Sequence, residues 1–127
     1  MSTLKVNDIT EATSGGGKIW PSRAWLNMDG TGTISIRADG NFSSLTDLGT
    51  GIYNATMSNA MSSANYSTAM QCSSHNGATW QNHAFPIAYT QGGTRRDPTT
   101  TVIYWHQVDV DGAAYRDTNH AMVQVTI

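Results

Sequence analysis

Carboxylates are the first residues to examine for chemistry, because most glycoside hydrolases need two of them in one cleft. The chain of 127 residues has a single glutamate, Glu11, so a catalytic pair would have to consist of aspartates. Asp29, Asp39 and Asp111 each precede a glycine, and Asp47 lies in a glycine-rich segment. Aspartate at such positions is typical of turns. We therefore expect turn formers here, and we expect that the chain is not an enzyme.

Metal ligands and nucleophiles are the next candidates. The histidines, His75, His83, His106 and His120, lie in four separate segments without His-x-x-x-His spacing, so the sequence predicts no metal and no cofactor. Two of them could still meet in the fold, or one from each subunit could gather on a symmetry axis. Cys72 is the only cysteine, and its place in an alternating pattern predicts a small buried side chain. The sequence contains neither a Gly-x-Ser-x-Gly motif nor a phosphate-binding glycine loop.

Aromatic side chains favour binding over catalysis. The chain has four tryptophans and five tyrosines, and such rings can stack on sugars or anchor protein contacts. Trp80 lies in the polar segment 74–82, where His75, Asn76 and Asn82 could bond to the hydroxyl groups of a host-surface glycan or to a partner. The alternative is that Trp80 caps one end of the fold.

Composition narrows the partners further. Charged residues make up only 13% of the chain, the net charge is −2, and no basic run is longer than Arg95–Arg96. This balance gives little support to nucleic-acid binding, which depends on neutralising phosphates. No apolar stretch approaches 18 residues, so membrane insertion is not expected, and the first residues lack a signal-peptide pattern.

Period-two alternation of apolar and polar residues predicts the elements that position these side chains. The segments with this pattern, or with the composition of strands, are 24–28, 33–37, 41–46, 52–57, 65–72, 83–90 and 121–127. The segment 99–108 is so densely apolar that we expect burial on both sides, or on one side with a neighbouring subunit covering the other. Pro86 predicts an edge strand, and Ser58–Ala64 could hold one helical turn.

Seven to nine short strands, with turn signals every eight to twelve residues, predict an all-β fold. We expect an antiparallel β-sandwich, jelly-roll-like or immunoglobulin-like, over residues 21–127. Residues 1–20 differ from the rest because the glycine triplet at 15–17 predicts a hinge. We interpret this segment as an extended N-terminal arm for attachment and assembly, with a disordered tail as the alternative. Its contact residues would be Leu4, Val6, Ile9, Ile19 and Trp20.

Several motifs resemble those of small phage tail-fibre-like virion structural proteins of marine phages and cyanophages. Ala24–Arg37 (AWLNMDGTGTISIR) is similar to their AWVNFxGTGTVxIR signature, and Asn41–Asp47 (NFSSLTD) is similar to NVSSITD. Gly49–Gly51 and Ser62–Tyr66 match further short motifs in the same order, and the opening residues 2–17 resemble the start of such proteins. The resemblance spans about residues 2–70. Segment 75–120 does not match.

This resemblance implies a virion location and a structural role in a phage particle. The first hypothesis is a tail fibre or fibre-tip component that assembles as an oligomer, by analogy a homotrimer, with other phage structural proteins. It would be able to contact a host surface glycan. A capsid decoration or head-fibre protein is the second hypothesis, and a free carbohydrate-binding module is the third. Leu26 and Met28 depart from the Val and Phe of the signature, and both are apolar exchanges that a core tolerates.

Overall fold

A computed structural model describes residues 22–73, 82–85, 88–89, 95–109 and 114–126. In these ranges the chain forms strands and no helix. The strands are β1 (Ala24–Asp29), β2 (Ser35–Gly40), β3 (Phe42–Gly49), β4 (Ile52–Met57), β5 (Ser67–Cys72), β6 (Asn82–Phe85), β7 (Ala88–Tyr89), β8 (Arg95–Arg96), β9 (Val102–Asp109) and β10 (Ala121–Thr126).

Eight of these strands form two antiparallel four-stranded sheets. The first sheet has the order β2-β1-β10-β5 and the second has the order β3-β4-β9-β6, while β7 and β8 pair separately. This arrangement confirms the predicted all-β class and is consistent with the predicted β-sandwich. The predicted strand over 83–90 is two strands, and β6 lies at an edge of the second sheet, as expected.

The core lies between the two sheets because alternate residues of each strand point inward. In β1 and β10 the inward residues are almost completely buried, and the intervening ones are exposed or half-buried. Alternation over 52–57 predicts that Tyr53, Ala55 and Met57 share one side of β4, and all three are buried. The buried apolar cluster consists of Ala24, Leu26, Met28, Phe42, Tyr53, Ala55, Met57, Met61, Ile103, Trp105, Ala121, Val123 and Val125.

Aspartates form the turns, as predicted. Asp29 accepts hydrogen bonds from the backbone N–H and the hydroxyl of Thr31 and pairs with Arg37 at 2.6 Å. The bonds from Thr31, and then the Arg37 charge, hold the pKa of Asp29 below its ordinary value. Asp39 and Asp47 accept from the backbone N–H groups of residues 42 and 49, respectively. Asp111 lies outside the described residues.

The turn after Asp39–Gly40 is a corner between the sheets. Asn41 has a φ of 68°, a conformation that asparagine tolerates better than most residues. Its side chain donates to the carbonyls of Arg23 and Asn59, and its Oδ1 accepts from the backbone N–H of Asn59 at 2.7 Å. These bonds tie the corner to the start of β1 and to the segment after β4.

The helical turn that Ser58–Ala64 could hold does not form. Met61 donates its backbone N–H to the Thr100 carbonyl at 2.7 Å, and Met57 donates to Thr101. The segment therefore pairs with distant backbone instead of closing a helical turn. Met61 is buried in the core, which fixes the segment in this path.

Strand β9 is less enclosed than its composition predicts. Its inward residues Ile103, Trp105 and Gln107 are buried. On the outward side Val108 is buried as well, but Val102, Tyr104 and His106 are only half-buried. Other parts of the same chain contact this outer side: the Arg96 guanidinium lies 5.8 Å from the Tyr104 ring centre, and the Tyr115 ring packs edge-on against His106 with ring centres 5.7 Å apart. The burial of both sides that we expected is therefore incomplete, and the partial cover comes from the chain itself.

Candidate binding face

Most of the side chains that sequence analysis assigned to sites lie outside the described residues. This holds for the whole proposed arm 1–20, and for the polar loop up to Gln81. Asn82 is described only as the first residue of β6, where its backbone pairs with Asp109. The predicted residues outside the description are Leu4, Val6, Ile9, Ile19, Trp20, His75, Asn76 and Trp80.

The described residues present a different candidate, the outer surface of the first sheet. Because side chains alternate along a strand, the residues between the buried ones of β1, β10 and β5 point away from the core. We call this surface the open face and define it by Trp25, Asn27, Ala69, Gln71, Met122 and Gln124. Trp25 is 44% exposed and Met122 is 45% exposed, the highest values among the described large apolar side chains.

Strand register sets the neighbours on the open face. Trp25 lies opposite Gln124, which lies opposite Ala69. In the adjacent row Asn27 lies opposite Met122, which lies opposite Gln71. Residues directly opposite across strands are close enough for their side chains to touch. Each exposed apolar anchor therefore has an amide side chain directly beside it.

The indole ring of Trp25 packs against Gly40, which has no side chain to block it. The two residues are partners across β1 and β2, and a Cβ at Gly40 would collide with the indole nitrogen and ring carbons of Trp25. The indole thus packs directly on the glycine backbone. A larger residue at position 40 would lift the ring from the sheet.

Between the strands the open face contains a groove of about 450 Å³, and none of its lining residues is charged. Asn27, Gln71 and Gln124 contribute amide groups to the lining, and Trp25 and Met122 contribute apolar surface. The Oδ1 atom of Asn27 is buried and has no hydrogen-bond partner among the described residues. The groove can therefore offer donors, acceptors and an aromatic ring to a neutral ligand.

Sequence reasoning missed this face, although a signal was present. Trp25 lies between Ala24 and Leu26, and both neighbours are inward and buried. Alternation alone therefore places a tryptophan on the outward side of a strand. Which outward residues of other strands lie beside Trp25 depends on strand pairing, which alternation does not specify.

A second polar cluster lies at the β3–β4 turn. The Tyr53 hydroxyl donates to Asp117 Oδ1 at 2.6 Å, and the backbone N–H of Gly51 donates to the same atom at 2.7 Å. Gly30 donates its backbone N–H to the Thr118 carbonyl at 2.9 Å. Burial, and then the hydrogen bond and charge of Asp117, raise the pKa of Tyr53 far above its ordinary value. Tyr53 therefore keeps its proton and donates to Asp117. We call the hydrogen-bonded group of Tyr53, Gly51 and Asp117 the fastening, because it holds the turn in place.

Glycines allow this fastening to form. A Cβ at Gly30 would lie 2.5 Å from the Tyr53 hydroxyl. Gly51 has a φ of 67°, and a Cβ there would lie 2.6 Å from the Gln107 carbonyl oxygen. Both backbones approach their neighbours more closely than a side chain permits. The turn and the segment around Asp117 are thereby held against the sandwich.

Other classes of site are not found in the described ranges. These ranges contain no group of three or more His, Cys, Asp or Glu side chains placed to hold a metal ion. They also contain no helix long and apolar enough to span a bilayer. No protein-family profile, curated protein or solved structure matches this chain.

Proposed function

We propose that this chain is a non-enzymatic structural protein of a tailed phage particle, a tail fibre or its tip, located in the virion. It acts by binding. The observation that carries this proposal is the uncharged open face with Trp25 and Met122 exposed on it. Exposed tryptophan and methionine on a rigid sheet are characteristic of contact surfaces.

The motifs that resemble phage fibre-like proteins supply the virion part of the proposal. They coincide with the framework of the sandwich: Ala24–Arg37 forms β1, its turn and most of β2, and Asn41–Asp47 forms the corner and most of β3. Within them, Gly30, Asn41 and Asp47 make the turn contacts described above. Some of the residues that carry the resemblance therefore also stabilise turns of this fold.

Assembly into an oligomer is part of the same proposal. Strands β2 and β5 are the edges of the first sheet, and β3 and β6 are the edges of the second. Edge strands need pairing or cover, and the proposed arm of residues 1–20 would supply contacts to a neighbour or to the particle. Fibres commonly use three-fold symmetry, so a homotrimer is the expected form.

Antibody labelling of purified particles tests the location. An antiserum raised against the full chain is expected to label the tail or the fibre tips in electron micrographs. Label spread over the shell would replace this proposal with the capsid-decoration hypothesis. Particles without the chain, as seen by mass spectrometry, would overturn both.

The mass of the purified chain in solution tests the assembly. Light scattering at micromolar concentration is expected to give three times the mass of one chain. A monomer at that concentration would remove self-association from the proposal, while the labelling result would stand independently.

A further inference from the structure

We infer that the open face binds a neutral glycan, with Trp25 as the stacking platform and the amides of Asn27, Gln71 and Gln124 as hydroxyl ligands. This inference rests on the proposed function only for the source of the glycan, a host surface. None of the residues that define this site belongs to the segment 74–82.

The first support is the chemistry of the lining. A sugar hydroxyl both donates and accepts hydrogen bonds, and an amide group also does both. Three amides line the same uncharged groove as Trp25, and one of them, Gln124, lies directly opposite Trp25 on the neighbouring strand. An anionic or cationic ligand would lose its hydration there without gaining a counter-charge, so a neutral ligand fits best.

The second support is the state of Asn27. Its Oδ1 atom is buried without a hydrogen-bond partner among the described residues. A buried acceptor without a donor lowers stability. Rotation of the terminal amide towards the groove would let a ligand hydroxyl donate to this oxygen, so binding would remove the cost.

The third support is the shape of the face. The groove of about 450 Å³ falls within the roughly 300–1,000 Å³ typical of small-ligand sites. A two-fold copy of the chain would present the same groove. Two concave surfaces placed against each other leave a void, so the groove fits a glycan better than it fits a two-fold copy. A three-fold neighbour would present a different surface, and the oligomeric state of Trp25→Ala separates that occupant from a glycan.

The test is binding of the full-length chain to an array of neutral hexose and N-acetylhexosamine oligosaccharides, with sialylated and uronate-containing ones as charged counterparts. The neutral probe that binds best is then titrated against variants. Trp25→Ala is expected to weaken binding about 30-fold, as loss of a central aromatic anchor does. Gln71→Ala, at an exposed position, is expected to weaken it about fivefold.

Two controls separate binding from folding and from the other candidate site. Leu48 is 37% exposed but lies on β3 of the second sheet, so Leu48→Ala is expected to leave the affinity unchanged. Trp80→Ala is also expected to leave it unchanged. Thermal unfolding of each variant shows whether the fold persists, and Gln71→Ala keeps the test valid if Trp25→Ala does not fold.

Three results would overturn the inference: no probe on the array is bound, binding survives Trp25→Ala and Gln71→Ala, or binding is lost in Trp80→Ala instead. An oligomer that dissociates in Trp25→Ala would show a second copy on the face and would also overturn it. Tail labelling without glycan binding would retain the proposed function and remove only this inference.

Discussion

The outer surfaces of the two sheets differ in how far other segments of the chain cover them. On the second sheet, Arg96 lies over the Tyr104 ring, and Tyr115 packs edge-on against His106 at 5.7 Å. We call this the covered face. On the first sheet, no described segment lies over Trp25 or Met122, which remain nearly half exposed. Within the described residues, Tyr104 and His106 are thus partly covered on one sheet, whereas Trp25 stays exposed on the other.

The largest expected effect separates a core tryptophan from one on the open face. Trp105 is fully buried and packs against Tyr53 with ring centres 5.7 Å apart. Trp105→Ala is expected to lower the free energy of unfolding by about 3–5 kcal/mol, because it empties the core. Trp25→Ala is expected to lower it by less than about 1 kcal/mol. Urea denaturation measures both, and equal losses would contradict the assignment of Trp25 to a binding face.

The next prediction concerns the fastening, in which Tyr53 and Gly51 donate hydrogen bonds to Asp117. Asp117→Ala leaves the buried Tyr53 hydroxyl and the Gly51 N–H without their shared acceptor. The Tyr53 hydroxyl still has the Gly30 carbonyl as an acceptor at 3.2 Å, but the Gly51 N–H loses its partner. We therefore expect a loss of roughly 1–2 kcal/mol in the free energy of unfolding. Asp97, with a 63% exposed side chain, is the matched control, and Asp97→Ala is expected to change little. Equal stability of the two variants would show that the fastening is not needed.

A smaller, pH-dependent effect concerns Cys72, which lies on β5 of the first sheet and packs against the core. Burial raises the pKa of the Cys72 thiol to about 11 from its ordinary value of 9.0. The neutral thiol is favoured in the folded state, so its contribution to stability is complete below pH 9 and is lost as the pH rises towards 11. Ultraviolet absorbance of the thiolate should therefore titrate near pH 11 in the native chain and near 9 in urea.

Cys72→Ala supplies the control for that titration. The thiolate absorbance should disappear, and the stability difference from the native chain should be constant below pH 9. Titration near pH 9 in the folded chain would show that strand β5 is not packed against the core as described.

The smallest expected effect concerns the contact between Arg96 and Tyr104 on the covered face. Arg96 contacts the Tyr104 ring from the exposed strand β8, and such exposed pairs contribute about 0.5 kcal/mol. Arg96→Ala should therefore lower the free energy of unfolding by that amount. A double-mutant cycle with Tyr104→Leu isolates the pair, and Arg95→Ala is the neighbouring control. A coupling energy of zero would mean that the covered face does not depend on this contact.

Local sequence rules predicted much of the fold. The alternation in 52–57 and 121–127 predicted which residues face inward, since a strand has only two sides. Aspartate predicted the turns because its side chain bonds to backbone N–H groups two or three residues onward. The helical turn considered for Ser58–Ala64 does not form, because Ser58 and Asn59 donate their backbone N–H groups to Asn41 and Met61 donates to Thr100, both of which lie far along the chain.

The candidate face was harder to foresee. Gln124 and Ala69 become neighbours of Trp25 only through pairing of β10 with β1 and β5. These strands are separated by more than 40 residues, and no local rule states which strands pair. Likewise, Asp117 resembles any surface aspartate until Tyr53 and Gly51 are placed beside it.

The sequence by itself determined the β class, the aspartate turns and the inward sides of β4 and β10, because these depend on neighbours within a few residues. Tertiary structure alone decided which outward sides are covered and which stay open, because pairing and cover join distant segments. The exposure of Trp25 beside three amides in an uncharged groove is a product of that long-range arrangement.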